Sequence, residues 1–234
     1  MALMMLTDQA LLCLLQLTDT AFPTGAFAHS FGLETYVSRG IVDTSATLEA
    51  FIANTLLNAV APSDGVACIV AARAGADWED VVQRLDGRLT AMKTVTEFRE
   101  ASQTLGTRFL RTATQLFALP RASRYLAAID AKHLHGHMSL AYGLICHDLG
   151  MPLPPALAAW FRHYCACLVS VGVRLIPLGQ TAGQMLLVYL GTTIVTAVKR
   201  TLAQNIDDMT SFAPGQELAG IIHRDVLITR LYIS

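Results

Sequence analysis

Leu48-Glu-Ala-Phe-Ile-Ala-Asn-Thr-Leu-Leu-Asn-Ala59 sets Leu48, Phe51, Ile52, Thr55, Leu56 and Ala59 at the i, i+3, i+4, i+7, i+8 spacing of one helix face. The spacing predicts an amphipathic helix that ends near Pro62, with Ser63 or Asp64 opening the next. Upstream, Thr7-Asp8 can cap a helix carrying Leu11, Cys13, Leu14, Leu15 and Leu17, and a second helix is expected from His29 to Arg39, stopped by Gly40. Pro23-Thr24-Gly25 breaks the chain between them and predicts a sharp, ordered turn. Downstream, Asp77-Trp-Glu-Asp80 places acids in a first helical turn, and Thr94-Val-Thr-Glu97 has capping-box spacing before a helix to about Arg111. Further helices are expected at Arg121–Ala131, Met138–Leu149, Pro154–Val173 and Ala182–Gln204. Only Val171–Leu178 alternates like a strand, and no Asn-Gly or Asp-Gly hairpin signal joins two β-branched runs. The fold class expected is all-α: a compact single-domain bundle of roughly eight to ten helices over residues 1–234. Its C-terminal tail, from about residue 211, is expected to be mobile unless docked.

Charged residues make up 15% of the chain and apolar ones 53%, and the mean hydropathy is +0.45. Such a balance demands either membrane residence or unusually complete burial. Met185–Val198, the longest nearly apolar run, contains Gly191 and stops at Lys199-Arg200, short of the roughly 18–20 residues a bilayer requires. It reads as a buried helix. The N-terminus has no basic region or small-residue cleavage pattern, and the five cysteines form no CxxC pair, so a reducing cytoplasm is expected. A net charge of −1 without a basic run beyond Lys199-Arg200 favours neither nucleic acid nor an anionic membrane as partner. The apolar excess points to protein contacts.

His133-Leu-His-Gly-His137 suggests a metal site, but residues two apart diverge on a helix, so only His133 and His137 could share a face. A helical metalloenzyme using His133, His135 and His137, with His163 as a further candidate ligand, is the alternative this cluster raises. Cys165-Ala-Cys167 falls within an apolar helical pattern and reads as core. Asp207-Asp208 has no second acidic cluster to share a cation with. Gly179–Gln184 lacks the lysine of a phosphate-binding loop, so no nucleotide cofactor is expected, nor any other. Ser30, His29 and Glu34 do not form a triad from local helical geometry. Phe22, Phe27, Phe31 and Tyr36 frame those polar residues as apolar anchors of a corner. Arg174 stands at the end of a long apolar helix, suited either to its last carbonyls or to a partner.

Three stretches, Thr18–Tyr36, Arg174–Gln184 and the closing Arg230-Leu-Tyr-Ile-Ser234, resemble the UreF family of urease accessory proteins. The tail departs from that pattern, with Arg224 after His223 where the family has Glu and Ile228 in place of a tyrosine. The resemblance implies an all-α assembly chaperone that is not an enzyme, forms a homodimer, and binds the scaffold protein UreD, also called UreH. It further implies recruitment of the GTPase UreG, so that nickel reaches apo-urease through the complex. Carried onto matching positions, the partner-binding residues would be His29, Phe31, Glu34, Tyr36, Arg174, Gln180, Arg230, Leu231 and Tyr232, with no metal ligand and no catalytic residue. The two ends are expected to form one surface, with Arg230 and Tyr232 anchored against Phe31, Tyr36 and Glu34. A generic helical adaptor without any link to nickel is the remaining alternative.

Overall fold

The computed structural model describes residues 7–227 and 230–233. Every regular element among them is helical: α1 Asp8–Leu17, α2 Leu33–Ser38, α3 Ser45–Thr55, α4 Val66–Arg73, α5 Trp78–Met92, α6 Thr96–Leu116, α7 Pro120–Asp130, α8 Met138–Asp148, α9 Leu153–Leu175, α10 Gln180–Leu202, α11 Pro214–Ile221 and α12 His223–Val226. Short 3₁₀ turns at Ala26–Ala28 and Ile206–Asp208 complete the set.

The helix containing Leu48–Ala59 does not end at Pro62. It widens into a π-helix over Leu56–Gly65 and continues as α4, so that Ser45–Arg73 is one helical rod. A proline inside an α-helix removes one N–H and crowds the carbonyl four residues back; wider π turns relieve such crowding. The carbonyl four residues before Pro62 belongs to Asn58, and it accepts the N–H of Phe212 at 2.8 Å. Pro62's own carbonyl takes the N–H of Thr210, and Ala61's takes the hydroxyl of Thr201 in α10. Asn58 O thus gains a tertiary donor in place of the N–H that Pro62 lacks.

Two other local expectations are corrected by distant contacts. The Thr94–Glu97 capping box does not form, because Val95 occupies the cap position of α6. Thr94 Oγ1 donates instead to Glu217 (3.4 Å), and Glu97 pairs with Arg224 (3.0 Å), tying α6 to α11 and α12. The helix expected from His29 begins only at Leu33, since Phe31 (φ 49°) and Gly32 (φ 85°) are left-handed.

At the centre lies α8, buried from Ser139 to Cys146 and packed on α4, α6 and α7. Glycines permit the closest approaches: a Cβ on Gly143 would lie 2.4 Å from Cys68 O, and one on Gly106 would lie 2.2 Å from Gly136 O. The rod, α9 and α10 are each long and apolar enough, by length and composition, to cross a membrane. Reading Met185–Val198 alone missed this for α10, because the helix extends beyond that run at both ends. In the rod 67% of the apolar window is packed inside the bundle, but in α10 only 33%. Met185, Val188, Tyr189 and Val195 therefore leave an exposed apolar stripe on α10.

Candidate functional site

The corner between α1 and α2 is built by local polar contacts. Asp19 Oδ1 accepts the N–H of Ala21, and Thr24 Oγ1 accepts that of Ala26. Gly25 turns left-handed (φ 87°), as the Pro-Thr-Gly word requires. Gly32 brings α2 against α11, where a Cβ would meet Gln216 O at 3.1 Å and Ala219 Cβ at 3.3 Å. Gln216 Nε2 donates to Phe31 O (3.1 Å) and fixes the same contact. Phe31 lies edge-on to Phe98 (5.7 Å) and stacks with His29 (5.7 Å), while Tyr36 packs on Phe51 (5.0 Å). Burial, reinforced by Arg108, pushes the His29 imidazole below its ordinary pKa.

Glu34, in the first turn of α2, is buried. Its Oε1 accepts the N–H of Leu231 (2.8 Å) and its Oε2 that of Tyr232 (3.2 Å). Fully buried His223 sits behind it: Nδ1 is 3.2 Å from Thr35 Oγ1, and Nε2 is 3.3 Å from Tyr232 O and 3.7 Å from Glu34 Oε2. Nε2 faces acceptors and so carries a proton. Ile233 N–H donates to Ala28 O (2.8 Å), closing the end of the chain onto the corner. The tyrosine ring enters the core, whereas Arg230, Leu231 and Ile233 are exposed.

The two ends therefore meet, but not as the sequence suggested. Glu34 binds the main chain of the next two residues, not the Arg230 guanidinium, and the anchoring aromatic works through burial. Ser234 and Ile228 lie outside the described residues. Arg174 and Gln180 are exposed on the turn joining α9 to α10. Phe31's ring meets Tyr164 of α9 (6.4 Å), ten residues before Arg174. His223, set aside because Arg224 follows it, is central. Thr35 and Ala28, which no side-chain pattern could mark, complete the set.

Beside the corner opens a largely apolar cleft of about 170 Å³, walled by Phe31, Phe98, Trp160 and Tyr164 and floored by an ion pair. Lys93 Nζ lies 2.6 Å from Asp64 Oδ2, and Asp64 also accepts from Ser139 (3.0 Å). Burial alone would raise the Asp64 pKa, but the charge and hydrogen bond of Lys93 outweigh it and hold the carboxyl below its usual range.

The histidine cluster divides by environment. His133 is exposed; His135 pairs through Nδ1 with buried Asp86 (2.6 Å); His137 is buried between Ser102 Oγ (3.1 Å) and Thr90 Oγ1 (2.9 Å). Burial first, then Lys93, lowers the His137 pKa to about 4. With both its ring nitrogens engaged by hydroxyls, His137 cannot be the second ligand that His133 would need. Among the described residues no three His, Cys, Asp or Glu side chains are grouped to hold a metal. Burial pushes the Cys165 thiol up to about 12 and that of Cys167 up to about 11; Cys165 lies in the core as expected, whereas Cys167 is half-buried and lines the cleft. Asp208 caps its own 3₁₀ turn by accepting the Asn205 N–H (2.9 Å).

A sequence model described as UreF matches residues 42–191. Urease accessory protein UreF of an Arthrobacter species is 38% identical over 212 residues, covering 91% of this chain and 92% of that one. The protein of the same name from Lachnoclostridium phytofermentans is 36% identical over 228 residues, 97% of this chain and all of the other, and that of Corynebacterium glutamicum is 34% identical over 221 residues, covering 94% and 96%. The chain belongs to the UreF family. The family model covers neither the corner nor the C-terminal segment, whereas the Lachnoclostridium relative aligns over 97% of this chain.

Proposed function

We propose that this chain is an accessory protein in the maturation of a nickel urease, acting as an assembly chaperone and not as an enzyme. In this reading it works in the cytoplasm, pairs with a second copy, and bridges the scaffold protein UreD (UreH) to the GTPase UreG, so that nickel carried by UreG reaches apo-urease. Family membership carries the reading, since the relatives bear the name urease accessory protein. The geometry suits such a role. Protein interfaces draw on exposed aromatic, aliphatic and Arg anchors presented on a rigid support, and the corner offers Phe27, Arg230, Leu231 and Ile233 in that manner. The exposed stripe of α10 is the surface we assign to the second copy.

The test is a pull-down with purified scaffold and GTPase, together with urease assays in cells lacking the gene. Arg230→Ala is expected to leave the melting temperature within a degree or two, because the side chain is exposed. The same variant should weaken scaffold capture at least tenfold and lower urease activation. Undiminished capture would remove Arg230 from the interface, and normal urease activity in the deletion strain would end the reading.

A further inference from the structure

The groups that hold the C-terminal segment read its main chain. Three successive N–H groups, of Leu231, Tyr232 and Ile233, are taken by Glu34 Oε1, Glu34 Oε2 and Ala28 O, and the Tyr232 carbonyl lies against His223 Nε2. The backbone bends at Leu231 and Tyr232 and encloses only the middle side chain: Tyr232 is 6% exposed, its neighbours Leu231 and Ile233 are 69% and 60% exposed. One inward aromatic and a ladder of backbone donors are all that the slot inspects.

The slot is also built without the segment it holds. Thr35 Oγ1, which faces His223 Nδ1, contacts Ala219 O at 3.1 Å, and Gln216 donates to Phe31 O, so α2, α11 and α12 are joined independently of residues 230–233. What the segment contributes is hydrogen-bond donors for a buried carboxylate. Glu34 is 5% exposed, and a carboxylate so placed is costly unless donors reach it. Consecutive amides of the bent segment supply them.

We propose that Glu34, His223 and Ala28 O form a peptide-binding slot for a bent segment bearing an inward aromatic residue between two residues with free N–H groups. The chain's own C-terminal segment is its resident occupant, and the same segment supplied from outside the molecule exchanges with it. The slot does not depend on the urease-accessory reading, and its test requires no partner protein.

Fluorescently labelled acetyl-Arg-Leu-Tyr-Ile-amide serves as the probe, with anisotropy measured on the full-length chain. Leu231→Pro in the chain removes one N–H donor while altering only an exposed side chain, and should release the resident segment. That variant is expected to bind the probe at least tenfold more tightly than the unmodified chain. Adding Glu34→Gln to it should weaken binding at least tenfold. A probe with Pro in place of Leu should fail to bind, whereas one with Ser there should bind within threefold of the parent, because only the N–H is read. Equal affinity of the Leu231→Pro and unmodified chains, a Pro probe that binds as well as the parent, or a Ser probe that fails would each overturn the proposal. Circular dichroism melting checks that the variant is folded; should it not be, Tyr232→Ala in the full chain takes its place with the same expected and overturning results.

Discussion

Two buried carboxylates in this molecule, Asp86 and Glu34, accept backbone N–H groups and face a histidine, yet they hold very different things. Asp86 is fully enclosed and accepts from Tyr125 OH (2.8 Å), His135 N (2.9 Å) and Gly136 N (3.2 Å), so it ties α5 to α7 and to the loop entering α8. Glu34 accepts from two amides close to the end of the chain. When Asp86 is removed, the Tyr125 hydroxyl and the Gly136 N–H are left buried without their acceptor. When Glu34 is removed, a short segment can turn its amides to water. The same chemistry is a structural rivet in one place and a releasable fastening in the other, and what differs is how much structure must move to re-solvate the donors.

The largest effect expected from this comparison is on stability. Asp86→Ala should cost about 3–5 kcal/mol, the range for stripping one member from a buried polar or ionic pair, whereas Glu34→Ala should cost about 1 kcal/mol or less if the segment simply re-solvates. Chemical denaturation of the two variants reads the difference. Equal losses would mean that the C-terminal segment is as integral to the fold as α7.

A sharper cut comes from pH. His137 belongs to the rivet region, and its folded-state pKa of about 4 lies below the ordinary value of 6.5. As pH falls, the unfolded chain takes up that proton first, so the histidine's contribution to stability is complete above about pH 6.5, declines as pH drops toward 4, and changes no further below that. His29 and His163, also lowered mainly by burial, add slopes of the same sign. His137→Gln should therefore reduce, without abolishing, the fall in melting temperature between pH 7.5 and 5. An unchanged fall would show that the buried imidazole does not govern acid sensitivity.

The smallest effect on stability is expected where no carboxylate is involved. Val188 is 75% exposed on α10, so Val188→Asp should alter folding stability by only about 0.5 kcal/mol while shifting light-scattering mass toward the monomer. A dimer that persists would move the self-association surface off α10.

How much of this was legible beforehand depends on the reach of each contact. The face from Leu48 to Ala59 could be read because its spacing is a property of neighbours, and α8, α9 and α10 followed from the same arithmetic. Pro62 misled because its effect is cancelled by Phe212 and Thr210, which no window of sequence places beside it. Thr94 and Glu97 misled for the same reason, their side chains being spent on α11 and α12. At the corner, Glu34 and Tyr232 were both singled out through the family resemblance, but the bond between them is made by an amide, and amides carry no signature in a sequence. His223 was discounted over the identity of its neighbour, although its own position behind Glu34 is what matters.

The missing N–H of Pro62 has a consequence in time as well as in space. Residues 58 and 62 leave the ribosome long before residues 210 and 212, whose amides their carbonyls accept. Until residues 201–212 emerge, the carbonyls of Asn58, Ala61 and Pro62 lack these tertiary donors. Emergence of these later residues, rather than formation of the helix, is the event that joins the rod to α10 and to the stretch leading into α11.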